Sequence, residues 1–146
     1  MQAIEKPEPV EARQKTFSVL LIDDDIDILT AFKHSLAQAG MHTYGFTNPM
    51  LAVEHFRRNA NSYDIVVTDI HMPHMSGFQV ARAVKLIRPD IKLAFATSFD
   101  INKSEFDKIF PSIEADAFIT KPAKLSMSTE VSSVLPHTLQ GWCYKV

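Results

Sequence analysis

Four short apolar runs along this chain each end in residues that can do chemistry. Ile65-Val66-Val67-Thr68 ends in Asp69, and the run from Phe17 to Ile22 ends in Asp23-Asp24-Asp25. Ile91 to Ala96 ends in Thr97-Ser98, and Ala117-Phe118-Ile119-Thr120 ends in Lys121-Pro122. The run before Asp69 is β-branched throughout, the pattern of a strand buried on both faces in a parallel sheet. In open sheets of that kind, ligands sit in the crevice outside the carboxyl ends of the strands. Parallel strands would therefore bring these carboxylates, hydroxyls and one ammonium to a common rim. Two carboxylates about 4 Å apart repel by about 4 kcal/mol at an effective dielectric near 20. One lysine does not offset that, so the rim calls for a divalent cation or for carboxyl groups held protonated. All-oxygen ligands favour magnesium over zinc. A hard cation, a carboxylate nucleophile, a hydroxyl donor and an ammonium together suit phosphoryl transfer, with the carboxylate attacking in line.

The rest of the sequence must supply elements that hold those strand ends in place. After Asp25, a natural helix N-cap, Ile28, Leu29, Phe32 and Leu36 recur at helical spacing, and Gly40 supplies a stop. His42 to Phe46 alternates weakly and reads as a strand. Thr47 or Asn48 before Pro49 starts a helix whose inner face is Leu51, Ala52, His55 and Phe56. Gly77 to Ile87 reads as a helix with Phe78, Ala81, Val84 and Ile87 inward, ended by Arg88-Pro89-Asp90. Ile101 to Ser112 suggests a fourth helix, and Lys124 to Leu135 a fifth, weakened by its serines. Strand and helix alternate throughout, which predicts an α/β fold, a parallel sheet with helices on both faces.

Composition narrows the class without naming a function. The chain has 146 residues, which suits one domain, and its hydrophobic fraction of 46% is ordinary for a globular protein. A net charge of −2 gives no general attraction for nucleic acid or anionic membrane. The single cysteine, Cys143, cannot form an internal disulfide, which fits a reducing, cytoplasmic setting. No apolar run reaches the length of a membrane span, and the N-terminus lacks a signal-peptide pattern. Residues 1–15, with Lys6-Pro7-Glu8-Pro9, read as a disordered tail, 16–135 as the folded domain and 136–146 as a C-terminal tail.

Five stretches in order carry a resemblance to the receiver domain of two-component response regulators. They are Val19 to Asp25, Asp64 to Pro73, Met75-Ser76-Gly77, Ala96-Thr97-Ser98 and Phe118 to Pro122. The resemblance spans about Phe17 to Val134. It implies a five-stranded (βα)5 flavodoxin-like sheet of strand order 2-1-3-4-5. It implies that Asp69 is the phosphoacceptor, fed by a sensor histidine kinase or a phosphotransfer protein. Asp24 would bind Mg2+ directly and Asp23 through water, with Asp69 and the backbone carbonyl of His71 completing the protein ligands. Thr97 would hydrogen-bond the phosphoryl group, and Lys121 would pair with it across a cis Lys121-Pro122 bond. Phe118 stands where the family has its switch aromatic, a position that plain core packing suits equally. The output would be a changed face of the fourth helix, fifth strand and fifth helix, open to a downstream protein target or to a homodimer. Self-phosphorylation and self-dephosphorylation would be the only chemistry. Ser98 and His71 depart from common family choices and would alter how long the phosphate lasts. With little chain after Lys121, the sequence reads as a stand-alone receiver acting by protein contact rather than on nucleic acid.

Other readings compete. A haloacid-dehalogenase-like phosphohydrolase would use Asp23 as nucleophile and Asp25 as acid, but only Glu130 follows Lys121 where that family carries an acidic pair. A receiver that has lost signalling would serve as a binding module, against which its full acidic set argues. His71 and His74 have a metal-like spacing without a third soft ligand and read as loop histidines. His34 and His55, on helices, read as surface or core residues. Trp142 and Tyr144 read as packing on the domain.

Overall fold

A computed structural model describes residues 16–97, 103–109, 113 and 115–120. The N-terminal tail, Ser98, Lys121-Pro122, the fifth helix and the segment bearing Trp142 and Tyr144 lie outside the described residues. The strands are β1 (Ser18–Ile22), β2 (His42–Phe46), β3 (Ile65–Asp69), β4 (Lys92–Thr97) and β5 (Ala117–Thr120). The helices are α1 (Ile26–Gln38), α2 (Pro49–Asn59), α3 (Gly77–Ile87) and α4 (Lys103–Ile109), with a 3-10 turn over 60–62. The sheet has order β2-β1-β3-β4-β5, and every neighbouring pair is parallel. This is the flavodoxin-like topology that the strand and helix alternation and the resemblance together imply.

The strands are central because their side chains are apolar on both faces. Leu20, Ile22, Val66, Leu93 and Phe95 point one way, onto Ala52, Phe56, Val80, Val84 and Phe106 of α2, α3 and α4. Val19, Leu21, Ile65, Val67, Ala94 and Ile119 point the other way, onto Leu29, Phe32 and Leu36 of α1. The period of two along each strand thus divides the core into two layers. β2, at the edge, has no fully buried residue, which matches its weaker alternation.

Helix ends follow their capping residues. Asp25 Oδ1 accepts from the backbone N–H of Asp27 (2.9 Å) and of Ile28 (3.4 Å). Asn48 caps α2, with Pro49 at the first turn, and Ser76 with Gln79 forms a reciprocal capping box on α3. Gly40 turns the chain out of α1 at φ 82°, a conformation glycine takes at no steric cost.

Two inward-face expectations need correction. Leu51 is 59% exposed, and Val53 is buried instead. The buried arc of α2 is Pro49, Ala52, Val53 and Phe56, and at about 100° per residue Leu51 falls on the opposite side. On α3 the arc is Gly77, Val80, Ala81 and Val84, so Phe78 and Ile87 sit on its shoulders, half-buried. The described part of α4, Lys103–Ile109, is shorter than the expected 101–112.

Two aspartates outside the expected site close the amino-terminal end of the sheet. The N–H of Ser18 donates to Asp64 Oδ2, and the N–H of Leu93 donates to Asp116 Oδ2, each at 2.9 Å. Each carboxylate satisfies a backbone donor in the first two residues of a neighbouring strand, which a buried sheet must otherwise leave unpaired.

Candidate functional site

The register delivers the acidic residues to one place. Ile22 of β1 pairs with Thr68 of β3, so Asp23 and Asp69 follow at adjacent strand ends. Asp24 comes next in the same turn. Carboxylate oxygens of Asp23, Asp24 and Asp69 lie within 4.8 Å of one another. Among the described residues this is the one group of three or more His, Cys, Asp or Glu side chains able to hold a metal ion. Asp23 is 1% exposed and Asp69 8%, whereas Asp24 is exposed. A buried pair with a third, accessible carboxylate gives an all-oxygen pocket open to solvent on one side. That donor set fits a hard divalent cation such as magnesium.

Hydrogen bonds orient two of these groups. Asp23 Oδ1 accepts from the N–H of Asp25 (2.9 Å), and the N–H of Asp23 donates to the Phe46 carbonyl (3.1 Å). Asp69 Oδ1 accepts from the N–H of Ile70 (2.8 Å). Thr68 Oγ1 donates to the carbonyl of Asp69 (2.9 Å), fixing the peptide that carries the side chain. Asp25 is exposed and caps α1 through its Oδ1, the helix N-cap role that the sequence assigns to it.

Gly77 sets the turn that follows Asp69. A Cβ at position 77 would lie 2.0 Å from the Asp69 carbonyl oxygen and 2.9 Å from Ile70 Cα. The N–H of Gly77 donates to the Ile70 carbonyl (2.8 Å), which pins the start of α3 against the end of β3. Glycine is required here for close approach of two backbones. The intervening loop holds His71 and His74, both exposed, with His74 at φ 69°.

The remaining expected residues divide by position. Asp69 pairs in register with Ala96, so the Thr97 backbone reaches the same rim one residue further on. Thr97 in turn pairs with Thr120, immediately before Lys121. The Thr97 side chain and Lys121 lie outside what is described. Phe118 sits opposite Phe95 on β5, half-buried and stacked on it at 5.9 Å. His34 is exposed, and His55 packs half-buried beside Tyr63 (Nε2 to Oη 2.5 Å). The Thr68 hydroxyl contact and the steric demand at Gly77 support the site without standing among the residues the sequence singles out. A glycine directly after a capping serine was the available signal for the last.

Parallel order 2-1-3-4-5 with an acidic triad at the carboxyl rim defines a receiver-type α/β domain. The sequence model of the response regulator receiver domain matches residues 19–131, and the chain belongs to that family, a module of two-component signalling. It is similar to the response regulator receiver protein CpdR of Brucella abortus, 37% identical over 81 residues, covering 56% of this chain and 66% of CpdR. It is similar to the chemotaxis protein CheV1 of Helicobacter pylori, 28% identical over 123 residues, covering 80% of this chain and 38% of CheV1. The chain thus spans under two thirds of the length of these curated relatives. Among solved structures, chemotaxis protein CheY4 of Vibrio cholerae superposes with TM-score 0.73 at 22% identity, covering 83% of this chain and all of CheY4 (100%). The response regulator TrrA of Thermotoga maritima, in complex with Mg2+ and BeF, superposes with TM-score 0.69 at 25% identity, covering 82% of this chain and 100% of TrrA. The family match does not favour the phosphohydrolase alternative. No helix among the described residues is long and apolar enough to cross a membrane.

Proposed function

We propose that Asp69 accepts a phosphoryl group in a two-component phosphorelay, in a reaction that depends on magnesium. The convergence of Asp23, Asp24 and Asp69 within 4.8 Å is the observation that carries this reading. Asp24, Asp23, Asp69 and the His71 carbonyl would hold the ion. Bound magnesium supplies positive charge against the clustered carboxylates and the oxygens of the transferred group. An Asp69 oxygen attacks phosphorus as the bond to a phosphohistidine nitrogen on the donor breaks, leaving an acyl phosphate on Asp69. The Ile70 N–H and the Thr68 contact to the carbonyl hold the nucleophile in a fixed geometry for in-line approach. Thr97 and Lys121, from the neighbouring strand ends, would then bond the phosphoryl oxygens.

The donor in this reading is a sensor histidine kinase or a phosphotransfer protein. The output is a shift at the face built by α4 and β5, where Phe118 lies, presented to a downstream protein or to a second copy of the chain. Incubation with acetyl phosphate tests it. With Mg2+ the intact mass should rise by one phosphoryl group, and with a chelator it should not. Uptake that ignores the chelator, or steady turnover of a generic phosphomonoester, would contradict the reading.

A further inference from the structure

The reading of Asp69 as acceptor leaves open how a change there reaches α4, and the packing offers a route through four phenylalanines. Phe78 follows Gly77 directly, and Gly77 is pressed against the Asp69 carbonyl with no room for a side chain. Any movement of the main chain after Asp69 must therefore move the first turn of α3. The Phe78 ring centroid lies 5.6 Å from Phe95 on β4 and 5.7 Å from Phe106 on α4. Phe95 and Phe106 are 5.3 Å apart and fully buried. Phe118 on β5 lies 4.8 Å from Phe106 and 5.9 Å from Phe95. Phe78 and Phe118, at the two ends, are each half-buried.

We infer that these rings form a packed linkage coupling the turn after Asp69 to α4 and β5, with Phe106 as its indispensable member. The inference rests on the acceptor role of Asp69 and adds residues that role does not itself require. A lasting shift of one close-packed ring at these separations disturbs its neighbours, because protein interiors have crystal-like density and aromatic pairs have preferred geometries. Phe106 is the ring that α4 contributes among the described residues, and it touches all three others. A smaller side chain there leaves slack in which Phe78 can move without carrying α4 along.

The test compares the full chain with its Phe106→Leu, Phe78→Leu and Phe56→Leu variants. Phe56 is buried in the same layer but rings with Tyr63 rather than with these four, so it controls for lost packing alone. Each protein is measured with and without acetyl phosphate and Mg2+, by intact mass and by hydrogen exchange over residues 103–109. All four should gain the phosphoryl group. Wild type and Phe56→Leu should change exchange in that segment by about fivefold, and Phe106→Leu and Phe78→Leu by less than about twofold. If Phe106→Leu does not fold, Phe78→Leu, altered at a half-buried position, decides. Full mass gain with an undiminished response in the Phe78 and Phe106 variants overturns the linkage alone, as does a wild type that is phosphorylated without responding. A wild type that gains no mass overturns the acceptor reading, and the linkage with it.

Discussion

Gly77 shows how little freedom the acceptor's surroundings have. Its missing Cβ is what lets α3 begin directly against the Asp69 carbonyl. Gly77→Ala should cost about 1–3 kcal/mol in urea unfolding, because the clash is with backbone and cannot be relieved by a rotamer change. The same variant should take up phosphate more slowly than wild type, and equal stability with equal uptake would contradict the close approach. Tyr63 gives a residue-scale prediction in pH. Burial, and secondarily Tyr44, pushes its phenol from 10.0 up to about 12. The folded state therefore prefers the neutral phenol. Stability on this account is complete below pH about 10 and falls by about 2 kcal/mol at most as pH climbs toward 12. Urea midpoints at pH about 9 and about 11.5 should show that loss in wild type and less of it in Tyr63→Phe. Asp23, Asp24 and Asp69 were legible in the sequence because each closes an apolar run. The roles of Gly77 and Thr68 were not, since they depend on how near two segments of backbone come.

Elements were readable where a capping residue marks the boundary. Asp25, and Asn48 of the two candidates Thr47 and Asn48, start helices where their side-chain oxygens meet free backbone donors, while the Ser76 cap of α3 emerges only in the structure. Faces were less readable, as Leu51 illustrates. An apolar residue in the first turn of an amphipathic helix looks inward by type, and only the phase of the buried arc shows that it points out. Long-range ties between elements were invisible. Arg88, just beyond α3, donates through one guanidinium nitrogen to the carbonyls of Ala60 (2.9 Å) and Tyr63 (2.6 Å), binding the end of α3 to the segment that leads into β3. Nothing local in Arg88-Pro89-Asp90 announces those partners. Arg88→Ala should cost about 1–3 kcal/mol by leaving both carbonyls without their donor. Thermal or urea unfolding would show it, and a change inside experimental error would mean that solvent replaces the arginine.

At the scale of the molecule, the five-stranded order follows from alternation of strand and helix, and the acidic rim follows from that order. Parallel register carries residues 46 positions apart in sequence, Asp23 and Asp69, to neighbouring strand ends. The cluster is stable only if its repulsion is answered, so metal should act as a folding ligand. Mg2+ at about 100 times its Kd should raise unfolding free energy by about 2.7 kcal/mol, and chelation should reverse the gain. Asp24→Ala should lose that response and be more stable than wild type without metal, since one repelling charge has gone. Equal responses in the two proteins would place the ion elsewhere. The most direct measurement of the central claim locates the phosphoryl group itself. After treatment with acetyl phosphate and Mg2+, borohydride reduces an acyl phosphate to an alcohol, so the acceptor aspartate becomes homoserine in the peptide mass map. The account predicts homoserine at position 69 and none in an Asp69→Ala protein; homoserine at Asp23 or Asp24, or at no aspartate, would contradict it.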